Sequence, residues 1–218
     1  MGQGLNDAFL SGVRRSDIFV TTKLWCTYHS RPEEGLDKSL KSLGLDYVDL
    51  FLMHWPIAMN PEGIFPTSRI NRVEGGKYTD SRPGNDDKFP KLPDGSRDLI
   101  RSWSHVETWL GMEKLLQTGK VKAIGVCNYS LRYLEELLPK VNIMPAVNQI
   151  ENHPSLPQQE IVNFCNAKGI HITAYSPLGG SGSPMLTEKP IVEVAKKRKI
   201  SPAQVLLSYH RKLPLLFI

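Results

Sequence analysis

The stretch TTKLW, residues 21–25, indicates how this chain folds. It closes the run DIFVTTKLW, whose apolar, aromatic and β-branched residues predict a short buried strand. Lys23 stands near the C-terminal end of that strand, where an ammonium group is costly to bury without a polar partner. The lysine therefore predicts that this strand ends at a polar site.

Four more segments repeat the strand pattern: YVDLFLMHW, KVKAIGVCN, MPAVNQI and IHITAYS. Amphipathic helical patterns lie between most of them, for example at residues 31–43 and 103–118. Ser130 and Ser201 are candidate N-caps of two later helices. Strands that alternate with helices predict a parallel α/β fold with right-handed crossovers. Periodicity alone leaves two architectures open, an open doubly wound sheet and a TIM barrel.

One region interrupts this alternation. Residues 57–101 have no sustained periodicity and are rich in Gly, Pro, Ser, Asp and Arg. A connection of this length is usually either functional or disordered, and we expect a mostly disordered surface loop. The chain has 218 residues, of which 40% are hydrophobic and 22% charged, which favours a single domain around one core.

The composition argues against several classes of partner. The formal net charge is +5, but basic and acidic residues alternate, and the run KKRK at residues 196–199 is typical of a solvated helix face. We therefore expect no nucleic-acid partner. No apolar run approaches the roughly 18 residues that a membrane helix needs, and no signal peptide pattern is present, so we expect no membrane partner.

The cysteines and histidines do not form a recognisable metal or disulfide pattern. Three widely spaced cysteines support neither a disulfide framework nor a CxxC site, so we expect a reducing, cytoplasmic location. The six histidines lack the spacing of zinc ligands, and we expect no metal. No GxGxxG or GxSxG motif is present, which disfavours a Rossmann site and an acyl-transfer serine.

Polar side chains follow each predicted strand. Singly, these residues have ordinary explanations, such as a lysine that reaches solvent or a histidine satisfied in the core. In parallel α/β folds, however, the carboxyl ends of the strands meet at the ligand crevice. A cation, an imidazole, two carboxamides and an aromatic face would converge there, a set that suits a carbonyl group and an aromatic cofactor ring. The residues are Lys23, His54, Asn128, Gln149 and Tyr175.

Five segments resemble the aldo-keto reductases, and most of all their fungal aldehyde reductase and glycerol dehydrogenase-like members. They are TTKLW, LDYVDLFLMHWP, GKVKAIGVCNYS, PAVNQIENHP and ITAYSPLG, in this order and spacing. The resemblance covers residue 2 to about residue 209, apart from much of residues 64–84. It implies a TIM (β/α)8-type barrel over residues 1–218, with the irregular loop at about 57–101 inserted in it.

The resemblance also implies an activity. It is NADP(H)-dependent reduction of aldehydes and ketones to alcohols, which is reversible, with NADPH/NADP+ as cofactor, a small carbonyl or polyol as substrate and a monomer as the working form. Lys23 matches the lysine that lowers the pKa of a catalytic tyrosine, and His54 matches the histidine that orients the substrate carbonyl. A phenol with a pKa near 10 is a poor acid–base catalyst at neutral pH until a nearby ammonium favours its phenolate.

The cofactor roles fall on the later strands. Asn128 and Gln149 match the residues that hold the nicotinamide carboxamide, and Tyr175 matches the ring stacked beneath it. Cys127 stands where the family usually has a serine. Two further residues match positions that line the pyrophosphate: Ser176 and Leu178.

Some family residues have no counterpart by motif. The catalytic tyrosine and its aspartate lie upstream of the segment that opens this chain, so we expect an incomplete barrel without the first two strands and most of the last unit. Tyr28 and Tyr129 lie near strand ends but match no motif. Catalysis is then impaired, and the alternative is a non-catalytic binding or regulatory barrel fragment. Three tryptophans are candidates for an apolar substrate mouth: Trp25, Trp55 and Trp103.

Overall fold

The computed structural model describes residues 1–60, 88–180, 182–212 and 216–217. The chain divides into two compact units, Met1–Lys122 and Ala123–Ile218, which we call the first and the second unit. In each unit, parallel strands alternate with helices. The predicted alternation is therefore confirmed, whereas the expectation of a single domain stays a prediction.

The first unit is built around one pair of parallel strands. Residues opposite each other in that pair include Lys23 and Leu52. Its main elements are α1 (Gly2–Leu10), β1 (Thr21–Leu24), α2 (Pro32–Leu43), β2 (Val48–Met53) and α3 (His105–Leu115). Strand β1 is shorter than the predicted run of residues 17–25, since residue 17 ends a turn of 3-10 helix and residues 18–20 precede the strand.

Helix α2 has clear start and stop signals. Pro32 occupies its first turn, and Gly44 ends it in a left-handed conformation with φ 68°. Leu36 and Leu40 are buried. At Gly35 a Cβ atom would lie 2.6 Å from a side-chain carbon of Leu24, so the missing side chain lets this helix approach β1 closely.

Helix α3 begins later than its pattern predicts. Ser104 and Glu107 form a capping box. The Ser104 hydroxyl accepts a hydrogen bond from the Val106 N–H at 3.1 Å, and the Glu107 carboxylate accepts one from the Ser104 N–H at 2.9 Å. Trp103 therefore precedes the helix, and its indole N–H donates to Thr108 Oγ1 at 2.9 Å. The predicted start of this helix at residue 103 was wrong, because Ser104 is the N-cap and the first turn follows it.

Part of the interrupting region is ordered. Antiparallel bridges pair Met59 with Leu99 and Lys91 with Arg97. Between Lys91 and Arg97 the chain turns, and Asp94 stabilises this turn by accepting hydrogen bonds from the backbone N–H and the hydroxyl of Ser96. The expectation of a mostly disordered loop is therefore wrong for residues 88–101. The rest of it, residues 61–87, lies outside the described residues.

The second unit continues the parallel pattern. Cys127 lies opposite Gln149, and Glu151 lies opposite Tyr175. Its elements are β3 (Val121–Cys127), whose first two residues belong to the first unit, α4 (Leu131–Leu137), β4 (Val147–Glu151), α5 (Gln159–Ala167), β5 (His171–Tyr175), α6 (Lys189–Arg198), α7 (Pro202–Lys212) and β6 (Leu216–Phe217).

Two sequence predictions have clear outcomes in the second unit. Ser201 caps α7 as predicted, since its hydroxyl accepts a hydrogen bond from the Gln204 N–H at 3.2 Å. In turn, Gln204 Oε1 accepts one from the Ser201 N–H at 2.8 Å. Strand β6, in contrast, was not among the five predicted strands. It pairs in parallel with β5, with Phe217 opposite Ala174. A strand of two residues shows no alternating pattern, and the proline at position 214 argues against a strand nearby.

A buried carboxylate anchors the amino end of β2. Asp49 accepts hydrogen bonds from the Val20 backbone N–H (2.9 Å), Arg15 Nη2 (2.8 Å) and Lys122 Nζ (2.9 Å). Both cations also lie over the ring of Tyr47, at 4.0 and 4.2 Å from its centroid. Burial alone would raise the pKa of Asp49, but these three donors outweigh it and the pKa is lowered.

Replacing this carboxylate will destabilise the fold. In Asp49→Asn the two cations lose their common partner, and we expect the free energy of unfolding to fall by about 2 kcal/mol. Because the pKa of Asp49 is lowered, the difference between the two proteins will shrink as the pH falls through that pKa. Urea denaturation followed by circular dichroism measures both effects.

The matched control is Asp37→Asn. Asp37 pairs with Lys120 at 2.7 Å, but Asp37 is exposed and Lys120 only partly buried, so solvent screens the pair and we expect little change in stability. Equal losses in the two variants would contradict the special role of Asp49.

Candidate active site

Lys23 and His54 lie together in the first unit. Lys23 is opposite Leu52, and side chains two residues apart on a strand point to the same face, so His54 stands on the face of Lys23. The backbone N–H of His54 donates to Leu24 O at 3.1 Å, which continues the strand pairing to this residue. The structure therefore brings this predicted pair together.

The electrostatics of the pair agree with its geometry. The pKa of His54 is lowered to about 4, mainly because burial disfavours the imidazolium and secondly because the positive charge of Lys23 is near. His54 is therefore neutral at pH 7, with one ring nitrogen as donor and the other as acceptor. A cation beside a neutral donor is suited to a carbonyl oxygen on which negative charge develops.

Aromatic rings surround His54. The ring of Trp25 meets it edge-on with centroids 5.0 Å apart, and Trp55 stacks on it at 6.3 Å. Phe89 packs edge-on against Trp25 at 5.2 Å, and the Trp25 indole N–H donates to the carbonyl of Lys88 at 2.6 Å. Trp55 and Phe89 each remain 40% exposed, so this aromatic group is open to a ligand.

Two of the three tryptophans predicted for a substrate mouth, Trp25 and Trp55, belong to this aromatic group. Trp103 donates to Thr108 at the start of α3 instead, and the substrate mouth stays a prediction. Phe89 was missed, because it lies in the interrupting region, where no periodic pattern marks packed residues.

The second unit holds a hydrogen-bonded group, which we call the carboxamide cluster: Cys127, Asn128, Gln149 and Tyr175. The Tyr175 hydroxyl donates to Asn128 Oδ1 at 2.8 Å, and Asn128 Nδ2 donates to Cys127 Sγ at 3.3 Å. The Cys127 thiol in turn donates to Gln149 Oε1 at 3.9 Å. Three predicted residues from three strand ends are thus linked into one chain of hydrogen bonds.

The members of this cluster differ in exposure. Cys127 and Gln149 are 1% and 3% exposed, whereas Asn128 and Tyr175 are only partly buried. The pKa of Tyr175 is raised, mainly by burial and then by the nearby Glu151 and Cys127. Tyr175 is therefore a neutral phenol that offers a ring face and donates a hydrogen bond to Asn128. It is not suited to act as a base.

Strained backbone marks two of the strand ends. Asn128 directly follows β3 with φ 61°, and Ser176 directly follows β5 with φ 51°. Left-handed residues other than glycine are uncommon and cluster at functional sites. Ser176 begins a turn that Gly179 closes by donating its N–H to Ser176 O at 2.8 Å, and half-buried Leu178 lies within it. The two residues predicted to line a pyrophosphate therefore share one turn.

The residues fit a flat aromatic amide. Two carboxamides offer donors and acceptors for its amide group, and the Tyr175 ring offers a face for stacking. Among the described residues, no group of three or more His, Cys, Asp or Glu side chains is placed to hold a metal ion. Convergence of the carboxamide cluster with the Lys23–His54 pair on one ligand stays a prediction, since each group is built within its own unit.

The two candidate tyrosines lie in different surroundings. Tyr129 is fully buried, and burial raises its pKa well above the ordinary value, which does not suit an acid–base role. The Tyr28 hydroxyl accepts a hydrogen bond from Lys38 Nζ at 2.8 Å, and the Arg31 guanidinium lies 5.1 Å from its ring centroid.

Comparison with known proteins agrees with the geometry. The model of the aldo/keto reductase family matches residues 1–216. D-galacturonate reductase of Hypocrea jecorina is 58% identical over 96% of this chain and 61% of its own length. Glycerol 2-dehydrogenase (NADP(+)) of Saccharomyces cerevisiae is 46% identical over 96% of this chain and 62% of its own length. The chain thus spans about three fifths of the length of these curated relatives.

Solved structures confirm the fold class. The aldose reductase from Schistosoma japonicum superposes with a TM-score of 0.81 at 34% identity, covering 99% of this chain and 64% of that one. An aldo-keto reductase complexed with NADPH gives 0.77 at 32% identity, covering 100% of this chain and 59% of that one. The predicted TIM-barrel-type α/β fold is therefore confirmed. Among the described residues, no helix has the length and apolarity to cross a membrane.

The electrostatic pairing at His54 is directly measurable. In an NMR pH titration we expect His54 to titrate near pH 4. In Lys23→Met the midpoint will rise, because a positive charge is removed, but it will stay below the ordinary value of about 6.5, because burial remains. Since folding lowers this pKa, the contribution of His54 to stability is lost as the pH falls from about 6.5 through 4.

Lys114→Met is the control for this titration. Lys114 is an exposed lysine of α3 in the same unit, so its removal changes the net charge equally without changing the surroundings of His54. A His54 midpoint that moves equally in both variants, or in neither, would contradict the pairing.

Proposed function

The chain belongs to the aldo/keto reductase family, and we propose that it carries the carbonyl-orienting and cofactor-holding residues of an NADP(H)-dependent reductase of small carbonyl compounds. One observation supports this most strongly: a cationic Lys23 next to a His54 kept neutral at pH 7. A histidine with that pKa is a hydrogen-bond donor to a carbonyl and does not compete as a second cation.

The two residues have different tasks in this proposal. NADPH, when bound, supplies the hydride that adds to the carbonyl carbon. His54 donates its ring N–H to the carbonyl oxygen, which fixes the orientation of the substrate as charge develops. Lys23 stabilises negative charge close to that oxygen, either on the substrate or on a phenol that delivers the proton. The resemblance assigns that phenol to a tyrosine without a counterpart by motif in this sequence.

The cofactor assignment rests on the carboxamide cluster. Asn128 and Gln149 are proposed to bind the nicotinamide amide, and Tyr175 to stack on the ring, which suits its neutral state. Ser176 and Leu178 are proposed to line the pyrophosphate from their shared turn. NADP(H) is favoured because one curated relative is named for NADP(+) and one solved relative is complexed with NADPH.

The substrate class is drawn from the relatives and from the aromatic group. The relatives named above carry the names of D-galacturonate and glycerol, both polyhydroxylated, which supports a small hydroxylated aldehyde, ketone or polyol. The exposed rings of Trp55 and Phe89 offer its carbon skeleton an apolar contact beside His54. We also propose a monomer in the cytoplasm; the free, buried state of all three cysteines is compatible with a reducing compartment.

A second candidate is a non-catalytic barrel that binds the nucleotide alone or partners with a longer relative. It is favoured by the buried state of Tyr129, whose raised pKa does not suit an acid–base role. The two candidates differ in turnover and agree in nucleotide binding, so both properties have to be measured on the same protein.

Loss of Lys23 will separate chemistry from binding. We expect NADPH oxidation with glyceraldehyde from a version of the chain that is preceded by the two family strands, and a fall in kcat of about 100-fold or more in Lys23→Met. The Kd for NADPH, measured by its fluorescence, should change by less than about twofold, since Lys23 acts on the reacting oxygen.

The chain as it stands is assayed in parallel. NADPH binding without turnover in both versions would favour the non-catalytic candidate, and turnover that does not depend on Lys23 would remove its proposed role. Lys114→Met again serves as the matched lysine control and should retain full activity.

A further inference from the structure

Asn148 is a fully buried polar residue with an unusual pair of partners. Its Nδ2 donates to the backbone carbonyl of Tyr129 at 3.0 Å, and its Oδ1 accepts from the backbone N–H of the same residue at 3.4 Å. One side-chain amide thus satisfies both backbone groups of Tyr129, as a paired strand would. A third contact, from Nδ2 to Cys165 Sγ at 3.8 Å, joins it to α5.

The location of this clamp connects it to the carboxamide cluster. Tyr129 directly follows Asn128, whose backbone N–H donates to Gln149 O at 2.9 Å. The chain turns away from β4 at Asn128, in its left-handed conformation, so Tyr129 cannot continue the regular strand pairing. Asn148 and Gln149 are adjacent on β4 and point to opposite faces. Strand β4 therefore contacts the chain at Asn128 and directly after it. The Gln149 carbonyl accepts from the Asn128 N–H, and the Asn148 side chain binds the backbone of the next residue, Tyr129.

The backbone conformation at Asn128 decides where its carboxamide lies. That carboxamide contacts the Tyr175 hydroxyl at 2.8 Å and Cys127 Sγ at 3.3 Å. If Asn128 relaxed to the ordinary right-handed or extended regions, both contacts would be lost, because the side chain would leave in another direction. Holding Tyr129 is thus equivalent to holding the Asn128 side chain.

We infer that Asn148 is a positioning residue for the nicotinamide end of the cofactor site, acting through the backbone of Tyr129 on Asn128. The inference rests on the proposed function, in which Asn128 binds the nicotinamide amide. The face of β4 that carries Asn148 and contacts α5 thereby has a role in the same site to which the opposite face contributes Gln149.

The test uses two ligands that differ only at the nicotinamide. NADPH contains it, and ADP-ribose 2′-phosphate lacks it but keeps the pyrophosphate and both riboses. In Asn148→Asp the shape and the acceptor remain, but the donor to the Tyr129 carbonyl is lost and a carboxylate oxygen faces that carbonyl. We expect the Kd for NADPH to rise about tenfold and the Kd for ADP-ribose 2′-phosphate to stay within about twofold.

Asn128→Ala provides the reference for this effect. It should show the same selective loss of NADPH affinity, and adding Asn148→Asp to it should cause no further loss, since both changes act through one side chain. If Asn148 had only a structural role, Asn148→Asp would lower the affinity for both ligands alike, and its loss of NADPH affinity would add to that of Asn128→Ala. Asn163→Asp, the same chemical change at an exposed asparagine of α5, should leave both affinities unchanged.

The possible results separate the inference from the proposed function. Unchanged NADPH affinity in Asn148→Asp, equal weakening of both ligands, or additivity with Asn128→Ala overturns the inference alone. A wild-type chain that binds neither ligand overturns the proposed function and the inference together. If Asn148→Asp does not fold, Asn148→Ser is measured in its place, because a serine hydroxyl is too short to reach both backbone groups of Tyr129.

Discussion

The last backbone hydrogen bond of each parallel strand pair is the constraint on which the site depends. In the β1–β2 pair it runs from His54 N–H to Leu24 O, and in the β3–β4 pair from Asn128 N–H to Gln149 O. Each bond fixes the residue that directly follows a strand, so its side chain inherits the rigidity of the sheet. His54 and Asn128, two of the proposed site residues, are therefore held by backbone hydrogen bonds of the sheet.

The charge cluster at Asp49 and the proposed carbonyl-orienting histidine lie at opposite ends of β2. At the amino end of β2, buried Asp49 gathers Arg15 and Lys122, and the opposite charges compensate each other. At its carboxyl end, His54 lies near the cation Lys23 and is neutral at pH 7, first because it is buried and second because of that charge. The contrast agrees with the general rule that ligands bind at the carboxyl ends of parallel strands.

Much of this arrangement could be predicted from the sequence, since strong local signals agree with the fold. The proline and glycine that bound α2, and the lysine and histidine at two strand ends, are such signals. Other features depend on contacts between distant residues and leave no local pattern. Phe89 packs from an aperiodic segment, and Asn148 looks like any buried asparagine until its partner at Tyr129 is known. Strand β6 is too short to show a period of two.

The contact between Gly35 and Leu24 couples helix α2 to the candidate site. A Cβ atom at position 35 would lie 2.6 Å from a terminal carbon of the Leu24 side chain. The backbone carbonyl of the same leucine accepts the hydrogen bond that fixes His54. Even an alanine at position 35 would therefore force a shift in the side chain of the residue that supports His54, so the packing of α2 on β1 affects how firmly this histidine is held.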